Sequence, residues 1–229
     1  MQGVADRIAF LQHSATDVPG VLGEYVDGLG LTVSTHRADH GAPSLPEPGA
    51  FDLLVVLGSI ESVTDASVGW IAPERRLVAD TVAAGVPVLG VCFGGQLLAE
   101  VLGGTVARAV RPEIGWVRLE SDDEAAVPAG PWLDWHEDAF TCPPGARSVA
   151  RTDVSLHAFV EGPHTGLQFH PEVTRPVVEG WIGDARERAH LSDEDVDTLL
   201  SGFDPTGRGP DHLAARVVDT FLTRADAAG

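Results

Sequence analysis

The chain has 229 residues, and its 34 acidic and 15 basic residues give a formal net charge of −19 at pH 7. That charge would repel phosphate backbones and anionic lipid surfaces, so nucleic acid is not an expected partner. The sequence has no apolar run of membrane-spanning length and does not begin with a secretion signal, so we expect a cytoplasmic protein outside the membrane. Cys92 and Cys142 lack metal-type spacing, so neither a disulfide framework nor a zinc site is indicated.

The first part of the chain alternates strand and helix patterns. Four stretches rich in apolar and β-branched residues predict strands, at Arg7–Gln12, Leu31–Thr35, Phe51–Leu57 and Val86–Val91. Apolar residues at helical spacing predict helices at Pro19–Leu29 and Ile71–Ala84, and the proline-rich segment Gly41–Gly49 is predicted as a surface loop. Such alternation favours a mainly parallel sheet that is covered by helices on both faces.

Cys92 lies where the fourth strand turns into a compact apolar helix, predicted at Gln96–Leu102. A residue on such a turn is held exposed by its backbone, and glycines on either side make room for it, as a nucleophile requires. The N-terminus of the following helix favours a thiolate over a thiol. The alternative is a small buried hydrophobe, the role that cysteines usually take.

The pattern changes after this helix. Short alternating runs over Thr105–Val160 predict antiparallel strands, which either extend the sheet or form a small side layer. Helices are predicted at Arg175–Ala189, Asp193–Leu200 behind a Ser192 N-cap, and Asp211–Thr223. These helices either cap the sheet or form the face of a homodimer. Without repeats or linkers, we expect a single domain over 1–229 with a helical tail at about 174–225.

His170 and Glu172 follow a short strand predicted at Leu167–Phe169. A histidine whose second ring nitrogen meets a carboxylate is fixed in one tautomer and kept basic, which a thiol nucleophile needs. The sequence therefore predicts Cys92 as nucleophile, His170 as its base and Glu172 as the group that orients the base.

Two motifs, Gly90-Val91-Cys92-Phe93-Gly94-Gly95-Gln96 and Gln168-Phe169-His170-Pro171-Glu172, together resemble the class I glutamine amidotransferases. The resemblance implies an α/β, flavodoxin-like fold: a three-layer, mostly parallel sheet with helices on both faces and an antiparallel extension. It also implies that Cys92, His170 and Glu172 release ammonia from a γ-carboxamide through a γ-glutamyl thioester. No metal or organic cofactor is implied.

The same resemblance suggests further site residues. The loop at Gly58 and Ser59, with the Phe93 N–H, would hold the oxyanion, although this loop departs from the glycine-glycine-proline form common in the family. The remaining candidates would line the substrate pocket, and they are Gln96, His136, Glu137 and Asp138. The alternative for the loop is a plain turn at the end of a strand. The alternative for His136 is a purely structural role.

The segments Pro112-Glu113-Ile114-Gly115-Trp116 and Trp135-His136 resemble those of stand-alone proteins similar to the glutaminase domain of GMP synthase. A fold resemblance names a chemistry and not a substrate. Three functions therefore stay open: a glutaminase paired with a separate ammonia-accepting synthetase, a γ-glutamyl peptide or amide hydrolase acting alone, and an inert binding module. Arg108 and Arg111 could face the site or a partner. The sequence pattern instead favours a role in surface solubility.

Overall fold

A computed structural model describes residues 6–185 and 191–228. Its strands, in chain order, are β1 (Arg7–Gln12), β2 (Thr32–Arg37), β3 (Leu53–Val56), β4 (Val88–Val91), β5 (Val106–Val117), β6 (Glu120–Ser121), β7 (Trp132–Phe140), β8 (Arg147–Arg151), β9 (Leu156–Glu161) and β10 (His164–Leu167). Eight of them form one sheet in the order β2-β1-β3-β4-β10-β9-β8-β6. The first five in that order are parallel and the rest are antiparallel.

The helices are α1 (Gly20–Gly28), α2 (Ile71–Ala83), α3 (Phe93–Val101), α4 (Arg175–Ala185), α5 (Asp193–Ser201) and α6 (Asp211–Ala228). Alternate residues of a strand point to opposite faces of a sheet, so each β1 face packs a different layer. Ile8 and Phe10 pack in the cluster that contains α1 and α6 residues, whereas Ala9 and Leu11 pack with residues of α2 and α3. This is the predicted three-layer α/β fold.

The strands β5 and β7 form a separate two-stranded antiparallel sheet. Both alternatives for the middle of the chain therefore occur, because β6, β8 and β9 extend the main sheet while β5 and β7 make a side layer. Helices α4 and α5 contribute Val178 and Leu199 to the cluster that contains Leu133 of β7.

The chain passes from the main sheet to the side layer just before His170. The strand predicted at Leu167–Phe169 is wrong in position, since β10 ends at Leu167. Gln168 N–H still donates to the His157 carbonyl of β9 at 2.8 Å, but His170 N–H donates to the Leu133 carbonyl of β7 at 2.9 Å. The backbone of His170 is therefore hydrogen-bonded to β7, a strand of the two-stranded sheet.

The helices differ from the predicted bounds mainly at their ends. α3 begins at Phe93 and not at Gln96, because Gly94 and Gly95 take part in the helix. Ser192 caps α5 in a capping box with Asp195, as expected. The end of the predicted helix Arg175–Ala189 falls on residues 186–190, outside the described residues. None of the described helices is both long and apolar enough to cross a membrane.

Candidate active site

Cys92 lies on the sharp turn between β4 and α3. Its φ of 51° and ψ of −108° make it the one non-glycine residue with positive φ among the described residues. Its N–H donates to the Leu167 carbonyl at 2.9 Å, so the turn is tied to β10. The side chain is not held out in solvent as expected, since Cys92 is 5% exposed, and it borders a pocket instead. A strained backbone of this kind persists only where the surroundings hold it, and it is common where a side chain has a chemical task.

Glycines around the turn permit the close approach of backbone atoms. A Cβ at Gly94 would lie 2.1 Å from the Val56 carbonyl oxygen, and one at Gly95 would lie 2.2 Å from the Leu167 carbonyl oxygen. α3 therefore packs against the ends of β3 and β10 at a distance that only glycine allows. These contacts bring the first turn of α3, and Cys92 with it, to the carboxyl end of the parallel strands.

His170 and Glu172 form a buried pair. His170 Nδ1 lies 2.7 Å from Glu172 Oε1, and the two residues are 4% and 1% exposed. A carboxylate only accepts, so Nδ1 carries the proton of this hydrogen bond. Burial by itself would lower the pKa of the imidazole, but the Glu172 carboxylate and then the neighbouring Cys92 raise it well above its ordinary value.

Two side chains lie against the Cys92 sulfur and the imidazole. Cys92 and His170 themselves line the same pocket. Gln168 Nε2 donates toward the sulfur at 3.7 Å, and Trp181 lies edge-on to the His170 ring with 4.8 Å between ring centroids. The structure thus brings together Cys92, His170 and Glu172, the three residues that the sequence places in two separate motifs.

The loop after β3 lies directly against this group. A Cβ at Gly58 would be 2.8 Å from His170 Cε1 and 3.7 Å from the Cys92 Cβ. Any side chain here would press on the imidazole, so glycine is required. Gly58 and Ser59 both line the pocket with Cys92.

A second buried histidine holds this loop from behind, and sequence reasoning missed it. His13 Nδ1 lies 2.7 Å from the Gly58 carbonyl oxygen, and its Nε2 lies 2.9 Å from Glu74 Oε1. Both contacts are to acceptors, so His13 donates from both nitrogens and is a buried imidazolium. Burial alone would lower the pKa of His13, but Glu74 raises it above the ordinary value.

His13 also fixes the orientation of the peptide between Gly58 and Ser59. This peptide is trans, and the C=O and N–H of a trans peptide point in opposite directions. Because the Gly58 carbonyl points at His13, the Ser59 N–H points away from it. The available signal in the sequence was the position of His13, immediately after a parallel strand, at the edge where such sheets bind ligands.

The Phe93 N–H is available at the start of α3. The first N–H groups of a helix have no intrahelical acceptor. The neighbouring Gly94 N–H donates to the Leu57 carbonyl at 3.2 Å. The Phe93 ring is buried and packs on His13 and Trp70, with centroids 4.8 and 5.4 Å away, so only its backbone lies beside Cys92.

The pocket next to Cys92 has a volume of about 300 Å³, at the lower end of the range for small-molecule sites. Its lining includes every predicted site residue except Phe93 and Glu172. Gln96 Nε2 and His136 Nδ1 contact the Asp138 carbonyl oxygen at 3.1 and 3.0 Å. These two side chains therefore hold the wall of the pocket in place through one backbone oxygen.

Acidic side chains dominate the pocket rim. Asp17, Glu61, Glu137 and Asp138 all line it. Burial is the main cause that raises the pKa of the Asp17 carboxyl above its ordinary value. A rim of this charge suits an ammonium group of a substrate.

Arg108 is a cation at the same rim. Its guanidinium lies 2.7 Å from Glu137 and 3.8 Å from Asp138, and its side chain is 67% exposed. Arg108 therefore faces the site, the alternative that the sequence pattern did not favour, because β5 pairs with β7 directly beside the pocket. Arg111 instead pairs with the exposed Asp153 at 3.0 Å.

Four residues with metal-ligating side chains lie behind the pocket wall, and sequence reasoning did not group them. They are Glu113, Asp134, His136 and His157, and their ligand atoms lie within 4.8 Å of one another. Burial and then the nearby Glu113 carboxylate raise the pKa of Asp134 well above its ordinary value. Burial would likewise raise the pKa of Glu113, but the imidazoles of His136 and His157 lower it far below the usual range.

Residues 20–177 match the family model of class-I glutamine amidotransferases. The chain belongs to this family. The match covers more than half of the chain and contains Cys92, His170 and Glu172, which are the residues gathered at the pocket.

Among relatives of this class-I amidotransferase chain, a glutamine-hydrolyzing GMP synthase from a Parafrankia species is 42% identical over 100 residues. That alignment covers 40% of the chain and 19% of the relative. A glutamine-hydrolyzing GMP synthase subunit of Sulfurisphaera tokodaii is 38% identical over 38% of the chain and 51% of the relative. The matched segments thus span at most about half of these relatives.

Solved amidotransferase structures match over nearly the whole chain. A glutamine amido transferase from Methylobacillus flagellatus is 26% identical with a TM-score of 0.83, and the match covers 96% of this chain and 95% of that one. A glutamine amidotransferase from Thermotoga maritima shares the fold, with 24% identity, a TM-score of 0.80 and coverage of 96% and 97%. The predicted fold class is confirmed.

Proposed function

We propose that this class-I amidotransferase hydrolyses the side-chain carboxamide of glutamine through a thioester on Cys92. The observation that carries the proposal is the strained Cys92 turn beside a buried His170–Glu172 pair, at the mouth of a pocket. A thiol needs both an activating base and room for a substrate, and these three features supply both.

The first step forms the thioester. With its Nδ1 proton held by Glu172, the imidazole takes the Cys92 thiol proton on Nε2 before the attack, as its raised pKa favours, and the thiolate then attacks the carboxamide carbon. The carbonyl electron pair moves to oxygen and then returns, and the C–N bond breaks as Nε2–H gives its proton to the departing ammonia. Water, deprotonated by the same nitrogen, then attacks the thioester and restores the thiol with release of glutamate.

Two backbone donors support the tetrahedral intermediate. The Ser59 N–H points away from His13 in a loop that lines the pocket with Cys92, and the Phe93 N–H opens α3. Each such donor is typically worth about 3 to 4 kcal/mol in the transition state. The acidic rim, with Glu137 and Asp138, would meet the α-ammonium group of glutamine.

Cys142 provides a matched control for the nucleophile. We expect the Cys92→Ala variant to lose ammonia release from glutamine by about 10⁴-fold or more, and the Cys142→Ala variant to keep it. A glutamine-analogue electrophile should label Cys92 in the wild-type chain far faster than Cys142, measured by mass spectrometry of the peptides. Slow and equal labelling of both thiols would favour the inert binding module and refute the proposal.

We also propose that the ammonia passes to a separate synthetase. The similarity to a single GMP synthase subunit and to parts of longer GMP synthases supports this proposal. The isolated chain should then turn over free glutamine slowly, and a synthetase partner should accelerate it. Rapid turnover of γ-glutamyl peptides or amides by the chain alone would point instead to a self-sufficient γ-glutamyl hydrolase.

A further inference from the structure

The buried cluster of Glu113, Asp134, His136 and His157 joins the two sheets behind the pocket. Glu113 comes from β5, Asp134 and His136 from β7, and His157 from β9 of the main sheet. Asp134 and His157 are fully buried, His136 is 4% exposed, and Glu113 is 9% exposed. The reaction proposed for Cys92 uses neither Glu113, Asp134 nor His157.

His136 faces a carboxylate with its second ring nitrogen. Its Nδ1 contacts the Asp138 carbonyl oxygen at 3.0 Å. Its Nε2 lies 3.3 Å from Glu113 Oε2, yet within the described residues this nitrogen has no hydrogen-bond partner. A buried imidazole nitrogen without a partner is available as a metal ligand.

Asp134 and His157 also have buried polar atoms without hydrogen-bond partners. Within the described part of the chain, neither of its carboxylate oxygens has a hydrogen-bond partner, and neither do His136 Nε2 and His157 Nδ1. His157 Nδ1 lies 3.5 Å from Asp134 Oδ2, and His157 Nε2 contacts Glu113 Oε2 at 3.1 Å. Buried polar atoms are nearly always satisfied in folded proteins, so these four atoms point to a missing ligand.

We propose that this cluster binds a divalent transition-metal ion of the zinc type, with two imidazoles and two carboxylates as ligands. Zinc takes four such ligands in a tetrahedron at about 2.0 to 2.2 Å, which sets the ligand atoms about 3.3 Å apart. His136 Nε2 lies 3.3 Å from Glu113 Oε2, and His157 Nδ1 lies 3.5 Å from Asp134 Oδ2, so two pairs of ligand atoms already have about this spacing. Histidine nitrogens select zinc and its neighbours over magnesium and calcium, which prefer oxygen ligands.

The ion would fasten the side layer to the main sheet. β5 and β7 pair with each other and not with β9, so a ligand set drawn from all three strands crosses between the two sheets. Since His136 also lines the pocket, the ion would fix the pocket wall from behind.

Metal binding tests the proposal directly. The untagged wild-type chain is stripped with a chelator and titrated with Zn²⁺ against a chromophoric indicator, and in parallel with Co²⁺ while visible absorption is recorded. We expect one ion per chain and the intense absorption of tetrahedral Co²⁺. The His157→Gln variant should bind at least about tenfold more weakly.

The matched control is His164→Gln. His164 is also buried at a strand of the main sheet but lies outside the cluster, so this variant should bind Zn²⁺ like the wild type. If His157→Gln fails to fold, as circular dichroism would show, Asp134→Asn replaces it as the test variant, with the same expected loss. Binding below a tenth of an ion per wild-type chain, or unchanged binding in both cluster variants, would overturn the proposal.

Discussion

Two of the buried histidine–carboxylate pairs among the described residues, His170–Glu172 and His13–Glu74, differ in what meets the second ring nitrogen. His170 contacts Glu172 at 2.7 Å and His13 contacts Glu74 at 2.9 Å, and all four side chains are almost fully buried. In the proposed mechanism the remaining nitrogen of His170 serves the Cys92 thiol, whereas that of His13 is bound to the Gly58 carbonyl oxygen. One pair therefore has a nitrogen that can exchange a proton, and the other has none.

The same residue type therefore has two different tasks. His170 is proposed to transfer a proton, whereas His13 positions a loop. In both pairs the carboxylate opposes the effect of burial, and the pKa of each imidazole is raised. The partner of the second nitrogen decides whether the proton moves in the reaction or stays in place to hold a backbone loop. Substitutions at the two histidines should consequently have different kinetic signatures.

The largest effect is expected at His170. The His170→Gln variant keeps a donor toward Glu172 but loses the base, so kcat for glutamine hydrolysis should fall by about 10⁴-fold or more. Steady-state ammonia release measures this loss. If this variant were as active as the wild type, His170 would not be the base, and the proposed difference between the two histidines would be wrong.

A smaller effect is expected at His13. The His13→Gln variant keeps one contact to the loop but leaves Glu74 buried without its cation, so we expect about 3 to 5 kcal/mol less free energy of unfolding. Its kcat should fall by about 10 to 100-fold with little change in KM, because the Ser59 N–H serves the transition state.

Active-site titration separates this positioning effect from unfolding. Counting reactive Cys92 thiols with the electrophile gives kcat per folded site, and a purely structural role for His13 would leave that ratio unchanged. The Glu74→Gln variant keeps the His13 contact to Gly58 and should lose less kcat than His13→Gln.

The smallest effect concerns the pH dependence of stability. Because the folded-state pKa of His13 is raised, its contribution to stability is fully present below the unfolded value of about 6.5 and is lost as pH rises through the folded value. Above pH 7 the free energy of unfolding of the wild type should therefore decline more steeply than that of His13→Gln. The difference is at most about 1.4 kcal/mol per pH unit, measured by denaturant unfolding, and parallel curves would contradict it.

The sequence predicts the fold well where apolar alternation is unbroken. β1 has the predicted bounds at Arg7–Gln12, and β3 and β4 lie within their predicted runs. β2 instead extends to Arg37, because pairing with β1 along its whole length continues the strand beyond its apolar residues. The strand before His170 is displaced because Gln168 and Phe169 have strand-like composition but follow the end of β10, after which the His170 N–H donates to β7 of the side layer.

The site is predictable only where its residues are neighbours in the chain. The Cys92 turn and the His170–Glu172 pair each lie within one short motif, and the roles assigned to them stay predictions until tested. His13 and Glu74 are 61 positions apart, and nothing in the local sequence of either residue indicates the other. The metal-type cluster is likewise spread over β5, β7 and β9 and becomes visible only when the two sheets are assembled.

The single backbone hydrogen bond from His170 to Leu133 ties the imidazole to the smaller sheet. At 2.9 Å it is a full-strength bond, so β7 cannot slide or tilt without moving the ring relative to the sulfur. A protein that docks on the outer side of β5 and β7 would therefore change the position of the His170 imidazole relative to the Cys92 sulfur. It would do so through this one peptide group. In the function proposed above, communication between the synthetase and this chain would then require no conformational change in the parallel strands.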